Sequence, residues 1–368
     1  MKLKKFLALF TAAMMMTAIS GCGSSSSADS SSSDSSADST STESKGTVTL
    51  LSWGGSIETA FLQDGMAEKF KEETGYDFEL VQKSDSAAII SQALAQKDNP
   101  QVDVVLCDIA SHLEGHNAGL WEPITEEKVP NIASCLEQAV YDDYLYCYFT
   151  VSGIIYDADD FEANGWDVPT SYEDLYKPEF AGKVAFDHFP SSYSDAPMML
   201  WAEENGGSYE NMDPAFEKLA ALAPSVYEFI PSYGQLAQWF ADDEISVATY
   251  VHNTTAKLQK EGVNAQFVIP EEGTYLMPTA VAVMKNAPNP EGAMALVNFI
   301  MGEEYQTYRY ENHNDIPANT NVELDPESPI TWDVLNAAKV FDYDKISEYR
   351  PGWVDRFNEE IVPIAKNF

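Results

Sequence analysis

The sequence predicts an α/β protein of two lobes, each a mixed, mostly parallel sheet flanked by helices. From residue 47 onward, apolar strand-like runs alternate with helical stretches in β-α-β-α-β order, the rhythm that places helices on the faces of a parallel sheet. The roughly 320 residues that follow the N-terminal region exceed what one hydrophobic core usually organises, so the chain divides. A composition of 45% hydrophobic and 12% aromatic residues is that of a globular protein.

The first strand is the apolar run Thr47-Val48-Thr49-Leu50-Leu51-Ser52-Trp53. It breaks at Gly54-Gly55-Ser56, and Ile57, Phe61, Met66 and Phe70 then recur at roughly helical spacing until Thr74-Gly75 stops the helix. A strand over 77–81, a helix over 86–96 and a strand over 102–106 follow. Asp108 stands where an N-cap starts a helix over 109–117. Further strands are expected over 146–155, 183–186, 247–251, 265–269 and 279–284, with helices over 197–204, 214–222, 233–241 and 290–301. The tail, 331–368, reads as helical with a break at Pro351-Gly352. In open parallel sheets ligands sit beyond the carboxyl ends of the strands, here Trp53-Gly54-Gly55-Ser56 and Cys107-Asp108.

The N-terminus carries Lys2, Lys4 and Lys5, then an apolar run from Phe6 to Ile19, the order of a secretory signal. Ile19-Ser20-Gly21-Cys22 resembles the bacterial lipobox, which implies cleavage after residue 21 and a lipid on Cys22. Residues 1–21 are therefore expected to be a lipoprotein signal peptide. Residues 22–46 are expected to be the lipidated cysteine and a disordered linker, since 23–45 hold no large apolar side chain to offset ordering entropy. Membrane contact is expected through this lipid only, at the outer face of the cell membrane.

With 59 acidic and 21 basic residues the formal charge is -38, which repels nucleic acid and suits a cationic ligand. Cys107, Cys135 and Cys147 show no CxxC spacing for zinc or redox work, and a Cys135–Cys147 disulfide stays open. The sequence His112-Leu113-Glu114-Gly115-His116 lacks the HExxH order, and His112 and His116 read as surface histidines. No GxSxG elbow or phosphate-binding GxxxxGK[ST] loop occurs. No catalytic residue, cofactor or metal is assigned, and the chain is not expected to be an enzyme.

Four passages, LSWGGSIETAFLQDGMAEKFKEETG at 51–75, VDVVLCDIASHLEGHNAGLWEPI at 102–124, PTSYEDLYKPEFAGKVAF at 169–186 and PTAVAVMKNAPNPEGAMALVNFIM at 278–301, resemble the extracytoplasmic solute-binding proteins of bacterial ABC importers, and among them the spermidine/putrescine-binding group. The resemblance implies the two-lobed periplasmic-binding (type II) fold with a ligand in the interlobe cleft. It implies a first lobe of 47–150 plus 276–318, and a second of 151–275 plus 319–368 with the C-terminal helices. The implied partners are a small solute and an ABC permease and ATPase complex, and the implied state is a monomer that closes over its ligand.

The candidate ligand contacts are Trp53, Gly55, Ser56, Asp108, Ser152, Ser191, Ser192, Tyr193, Tyr233, Tyr250, His252 and Met277. Several have a second reading. Trp53 is an indole wall or a core residue, and Asp108 an ammonium partner or a cap. The 191–193 turn binds a ligand acid or precedes a helix that Ser194 caps; Tyr233 and Tyr250 face the cleft or pack; His252 meets ligand or makes an interlobe hydrogen bond. Polyamine binders place an aromatic near 251 and an aspartate near 278, where this chain has Val251 and Pro278. An amino-acid-like or aminoalkyl ligand therefore stands beside a polyamine, with a ferric-iron binder or a secreted hydrolase as the alternatives from other classes.

Overall fold

The computed structural model describes residues 44–366; the expected signal peptide, the lipidation site Cys22 and almost the whole linker lie outside them. The strands among the described residues are β1 (Thr47–Trp53), β2 (Asp77–Lys83), β3 (Val104–Asp108), β4 (Leu145–Asp157), β5 (Val184–Asp187), β6 (Val226–Ile230), β7 (Val247–Val251), β8 (Ala265–Val268), β9 (Tyr275–Val283), β10 (Ile316–Pro317) and β11 (Lys339–Val340). Their lateral order is β2-β1-β3-β9-β4-β7-β5-β6, with β10 and β8 also pairing β4 and β11 pairing β9. β1 runs parallel to β2 and β3, and β5 parallel to β6 and β7. The alternating β-α rhythm predicts β1, β2 and β3 to be parallel, whereas the sequence reading places no strand where β6 runs.

Strand β4 joins the two halves because it is long enough to serve both. Its first part pairs with β9, with Tyr148 opposite Thr279 and Val151 opposite Leu276. Its second part pairs with β7, with Ser152 opposite Val251. Thirteen residues at about 3.3 Å each span some 43 Å, which no single lobe requires. One core gathers Leu50, Val105, Phe149, Val281 and Leu296; another gathers Phe186, Trp201, Phe229 and Val247. A smaller cluster of Ile155, Trp239 and Phe240 lies on the second half.

The structure corrects several expectations. The helix after β1 is interrupted: a turn at Ser56–Glu58 passes into a π segment at Thr59–Gln63, and a new helix, Met66–Thr74, starts beyond Gly65. Gly65 is left-handed with φ 83°, a conformation that ends a helical run and that glycine adopts without steric cost. The helix expected over 197–204 begins earlier and covers Ser192–Glu204, with Pro197 inside it. Pro351 does not break the tail; the helix Tyr343–Arg356 runs through it, with Pro351 and Gly352 exposed so that carbonyl groups freed by the proline meet water. Ile330 and Leu335 pack into the first core, whereas Phe341, Ile346 and Trp353 pack into the second. The packing therefore passes from one lobe to the other near β11, later in the chain than the expected boundary at 318/319. His112 is fully buried, stacked on Trp121 at 4.6 Å, and is not a surface residue.

Candidate functional site

Two groups of side chains stand at the carboxyl ends of the parallel strands, one in each lobe. In the first lobe these are Trp53, Gly55 and Ser56 after β1, and Asp108 at the end of β3. Gly55, with φ 61° and ψ −121°, adopts a backbone that a side chain disfavours, so the chain turns sharply and leaves Gly55 and Ser56 exposed. Trp53 is half-buried against the first core, so both of its readings keep support. Asp108 caps the helix Ile109–Asn117: Oδ1 accepts from the Ser111 amide at 2.9 Å and Oδ2 from the Ser111 hydroxyl at 3.3 Å.

The second lobe supplies Ser152, Asp187, Ser191, Ser192, Tyr193 and Tyr250. Ala185 of β5 lies beside Ala248 of β7, so Asp187 falls level with Tyr250, and the Asp187 amide donates to Thr249 Oγ1 at 3.0 Å. The ring of Tyr193 meets that of Tyr250 at 5.3 Å between centroids, edge to face. Buried Ser152 donates from Oγ to the Tyr193 carbonyl at 3.0 Å, holding the turn against the crossing strand. Ser191, not Ser194, is the N-cap of the helix Ser192–Glu204, accepting from the Tyr193 amide at 3.1 Å. Ser194 donates instead to the carbonyl groups of His188 and Ser191. Ser192 begins the first turn of that helix, half-buried beside its cap.

Asp187 is the residue that sequence reasoning missed. It is 3% exposed and its Oδ2 has no hydrogen-bond partner. Burial pushes its carboxyl up to about 7, against the opposing pull of the Ser191 hydroxyl and the His188 and Ser194 amides. Burial raises the Tyr193 and Tyr250 phenols too, and the nearby Asp187 charge adds to the rise. The signal available was a single acid closing the apolar strand Val184-Ala185-Phe186-Asp187, directly before the turn already under suspicion.

Three expected contacts lie elsewhere or are engaged in structure. Tyr233 donates to Glu261 Oε1 at 2.8 Å, and Lys257 lies over its ring at 5.4 Å, so its side chain is held on the outer helix Asn253–Lys260 and the residues just after it. Met277 is buried in the second core. His252 takes the interlobe reading: Nδ1 accepts from the Val151 amide at 3.3 Å and Nε2 donates to the Asn314 carbonyl at 2.6 Å. Those two bonds require the neutral ring, and burial accordingly lowers its pKa to about 4.

The tail adds a residue no sequence pattern marked. Tyr343 packs against both cores, and its phenol is raised chiefly by burial and then by neighbouring Tyr209, Asp108 and Tyr141. It stands where the two lobes meet, close to Asp108. The level of Asp108, opposite Thr279 and so beside Tyr148, is five strand residues from that of Asp187, level with Gly153, or roughly 16 Å along β4. An acid and an aromatic group thus stand at the strand ends of each lobe, Asp108 with Trp53 in the first and Asp187 with Tyr193 in the second. Among the described residues no group of three or more His, Cys, Asp and Glu side chains is placed to hold a metal, and Cys107, Cys135 and Cys147 are free thiols.

Residues 65–338 match the family described as bacterial extracellular solute-binding protein. The chain is similar to the spermidine/putrescine-binding periplasmic protein 1 of Haemophilus influenzae, 23% identical over 310 residues that cover 82% of this chain and 82% of the relative. Among solved structures it resembles an ABC transporter protein from Clostridium perfringens, with TM-score 0.73, 26% identity, and coverage of 85% of this chain and 99% of the other. It also resembles the spermidine/putrescine ABC transporter substrate-binding protein PotD of Streptococcus pneumoniae, with TM-score 0.68, 15% identity, and coverage of 84% and 98%.

Proposed function

We propose that this chain, which belongs to the bacterial extracellular solute-binding protein family, captures a small amine-bearing solute between its lobes for an ABC importer. The observation that carries the amine is Asp187, a carboxylate buried beside two tyrosine rings with one oxygen unpartnered. An ammonium group placed there gains a charge-assisted hydrogen bond, worth about 1.5–3 kcal/mol, and relieves the cost of leaving that oxygen alone. The tyrosine faces offer further cation–π attraction.

An acid group on the ligand is not favoured at this wall. The Ser191 hydroxyl is engaged as a helix cap, and Asp187 stands next to the donors that a ligand carboxylate needs. Ligand acids fit better toward the exposed Gly55–Ser56 turn on the opposite lobe. A ferric site in the Tyr141, Tyr144 and Tyr146 cluster is disfavoured, because burial pushes Tyr144 up to about 12 and Tyr146 higher, away from the phenolate that iron needs.

The proposal includes no catalytic step. It includes a lipid on Cys22, which keeps the receptor at high effective concentration near its permease while its lobes stay free. Isothermal titration of the residue 44–366 domain with spermidine, putrescine and 4-aminobutyrate tests the ligand class: binding of at least one amine supports it, and binding of none rejects it. Release of the protein from membranes on Cys22→Ser tests the anchor.

A further inference from the structure

We infer that Arg309 is the positioning residue for the turn after β1, and that it ties this turn to the strand that joins the lobes. Arg309 lies on the helix Glu303–His313 and is 2% exposed. Its Nη1 donates to the Ser56 carbonyl at 3.1 Å and its Nη2 to the Ser56 hydroxyl at 3.2 Å. Nε donates to Asp315 Oδ2 at 2.8 Å, and Nη2 also pairs with that oxygen. The guanidinium lies over the Tyr148 ring on β4, 4.8 Å from its centroid. One planar fork therefore holds three separate elements, which a lysine ammonium does not reproduce.

Trp53 and Ile57 pack the two flanks of the turn into the first core, but few polar contacts other than Arg309 hold the residues between them. Gly54 and Gly55 offer no side chain, and the short helix Ser56–Glu58 has no side-chain cap. From Asp315 the chain of contacts continues to its neighbour Asn314, whose carbonyl accepts from His252 of the second lobe at 2.6 Å. His252 is in turn bonded through its own amide to the Val151 carbonyl at 3.0 Å, and through Nδ1 to the Val151 amide. Ser56, Arg309, Asp315, Asn314 and His252 thus form a strut from the exposed turn to the interlobe crossing. Its importance for binding rests on the reading that the Trp53–Ser56 turn faces ligand.

Arg309→Lys keeps a positive charge beside buried Asp315 and removes the fork; Ser56→Ala removes the hydroxyl half of the link, keeps the bond to the Ser56 carbonyl and touches no buried charge. Hydrogen–deuterium exchange of the full chain without added solute is followed at residues 53–60, with β5 as the control. Arg309→Lys is expected to speed exchange at 53–60 by about tenfold and Ser56→Ala by about threefold, with β5 unchanged. Unchanged exchange at 53–60 in both variants overturns the inference, as does an equal rise in β5, which marks general loosening. Spermidine titration separates the two ideas. A loosened turn with weaker spermidine binding supports both, whereas a loosened turn with undiminished binding leaves Arg309 as the turn's anchor and removes the turn from the ligand site.

Discussion

Tyr193 and Tyr250 meet edge to face at 5.3 Å, and burial, and after it the charge of Asp187, raises both phenols. The three residues come from the helix after β5, from β7 and from the end of β5, and only the parallel register of those strands brings them together.

The proposed amine site makes binding depend on pH through Asp187. Its carboxyl, held at about 7 in the free protein, must lose its proton to pair with an ammonium group. Affinity for an amine is therefore expected to be flat above about pH 7 and to fall by up to about tenfold per pH unit below it. Titration from pH 5 to pH 9 measures this. Asp187→Asn is expected to abolish the dependence and weaken binding by on the order of a hundredfold.

Asp187 and the two buried histidines act oppositely on stability. Because the folded pKa of Asp187 lies above its unfolded value, ionisation costs stability increasingly as pH rises from about 4 to about 7. His112 and His252 are held neutral at about 3 and about 4, below their unfolded value, so the stability they retain above pH 6.5 is lost as pH falls toward those values. Urea unfolding across pH 4–8 is expected to show Asp187→Asn gaining on the parent protein as pH rises. His112→Phe is expected to flatten the loss on the acid side.

Arg350 on the tail helix pairs with Asp195, which is 0% exposed in the helix Ser192–Glu204. Arg350→Ala leaves that charge buried without compensation and is expected to destabilise the protein by about 3–5 kcal/mol. Denaturant unfolding tests this, and replacement of both residues by apolar side chains is expected to recover most of the loss.

Gly153 sits on β4 between the two lobes. A Cβ there meets the Val268 carbonyl oxygen at 2.4 Å and the Phe267 ring at 2.6 Å, and the backbone oxygen has little room to yield. Gly153→Ala is expected to cost about 1–3 kcal/mol in urea unfolding. Gly234→Ala, with open space around it, lacks this clash and serves as the reference.

Much of the fold was legible because its signals are local. The run from Val48 to Leu51 marks β1, Asp108 announces the helix it caps, and the alternation of strands and helices announces parallel sheets. Positions set by non-local packing were harder to read. Pro351 looked like a break, yet an exposed helix face tolerates its missing hydrogen bond. His112 looked like a surface residue, yet Trp121, nine positions on, folds back to stack on it.

For the candidate site, the sequence by itself marked out the ends of the parallel strands at Trp53–Ser56 and Asp108, and the segment from 191 to 193. Chain direction and strand pattern dictate those places locally. Only the tertiary structure decided what each side chain does there. Asp187 supports the proposed amine site because packing from β7 and the following helix buries it and leaves one oxygen unpartnered. Ser191 becomes a cap because its helix starts earlier than Pro197 suggested. His252 Nε2 is taken up by the Asn314 carbonyl, 62 residues away, at 2.6 Å. Burial and partner choice depend on which distant segments arrive, and no local pattern records that.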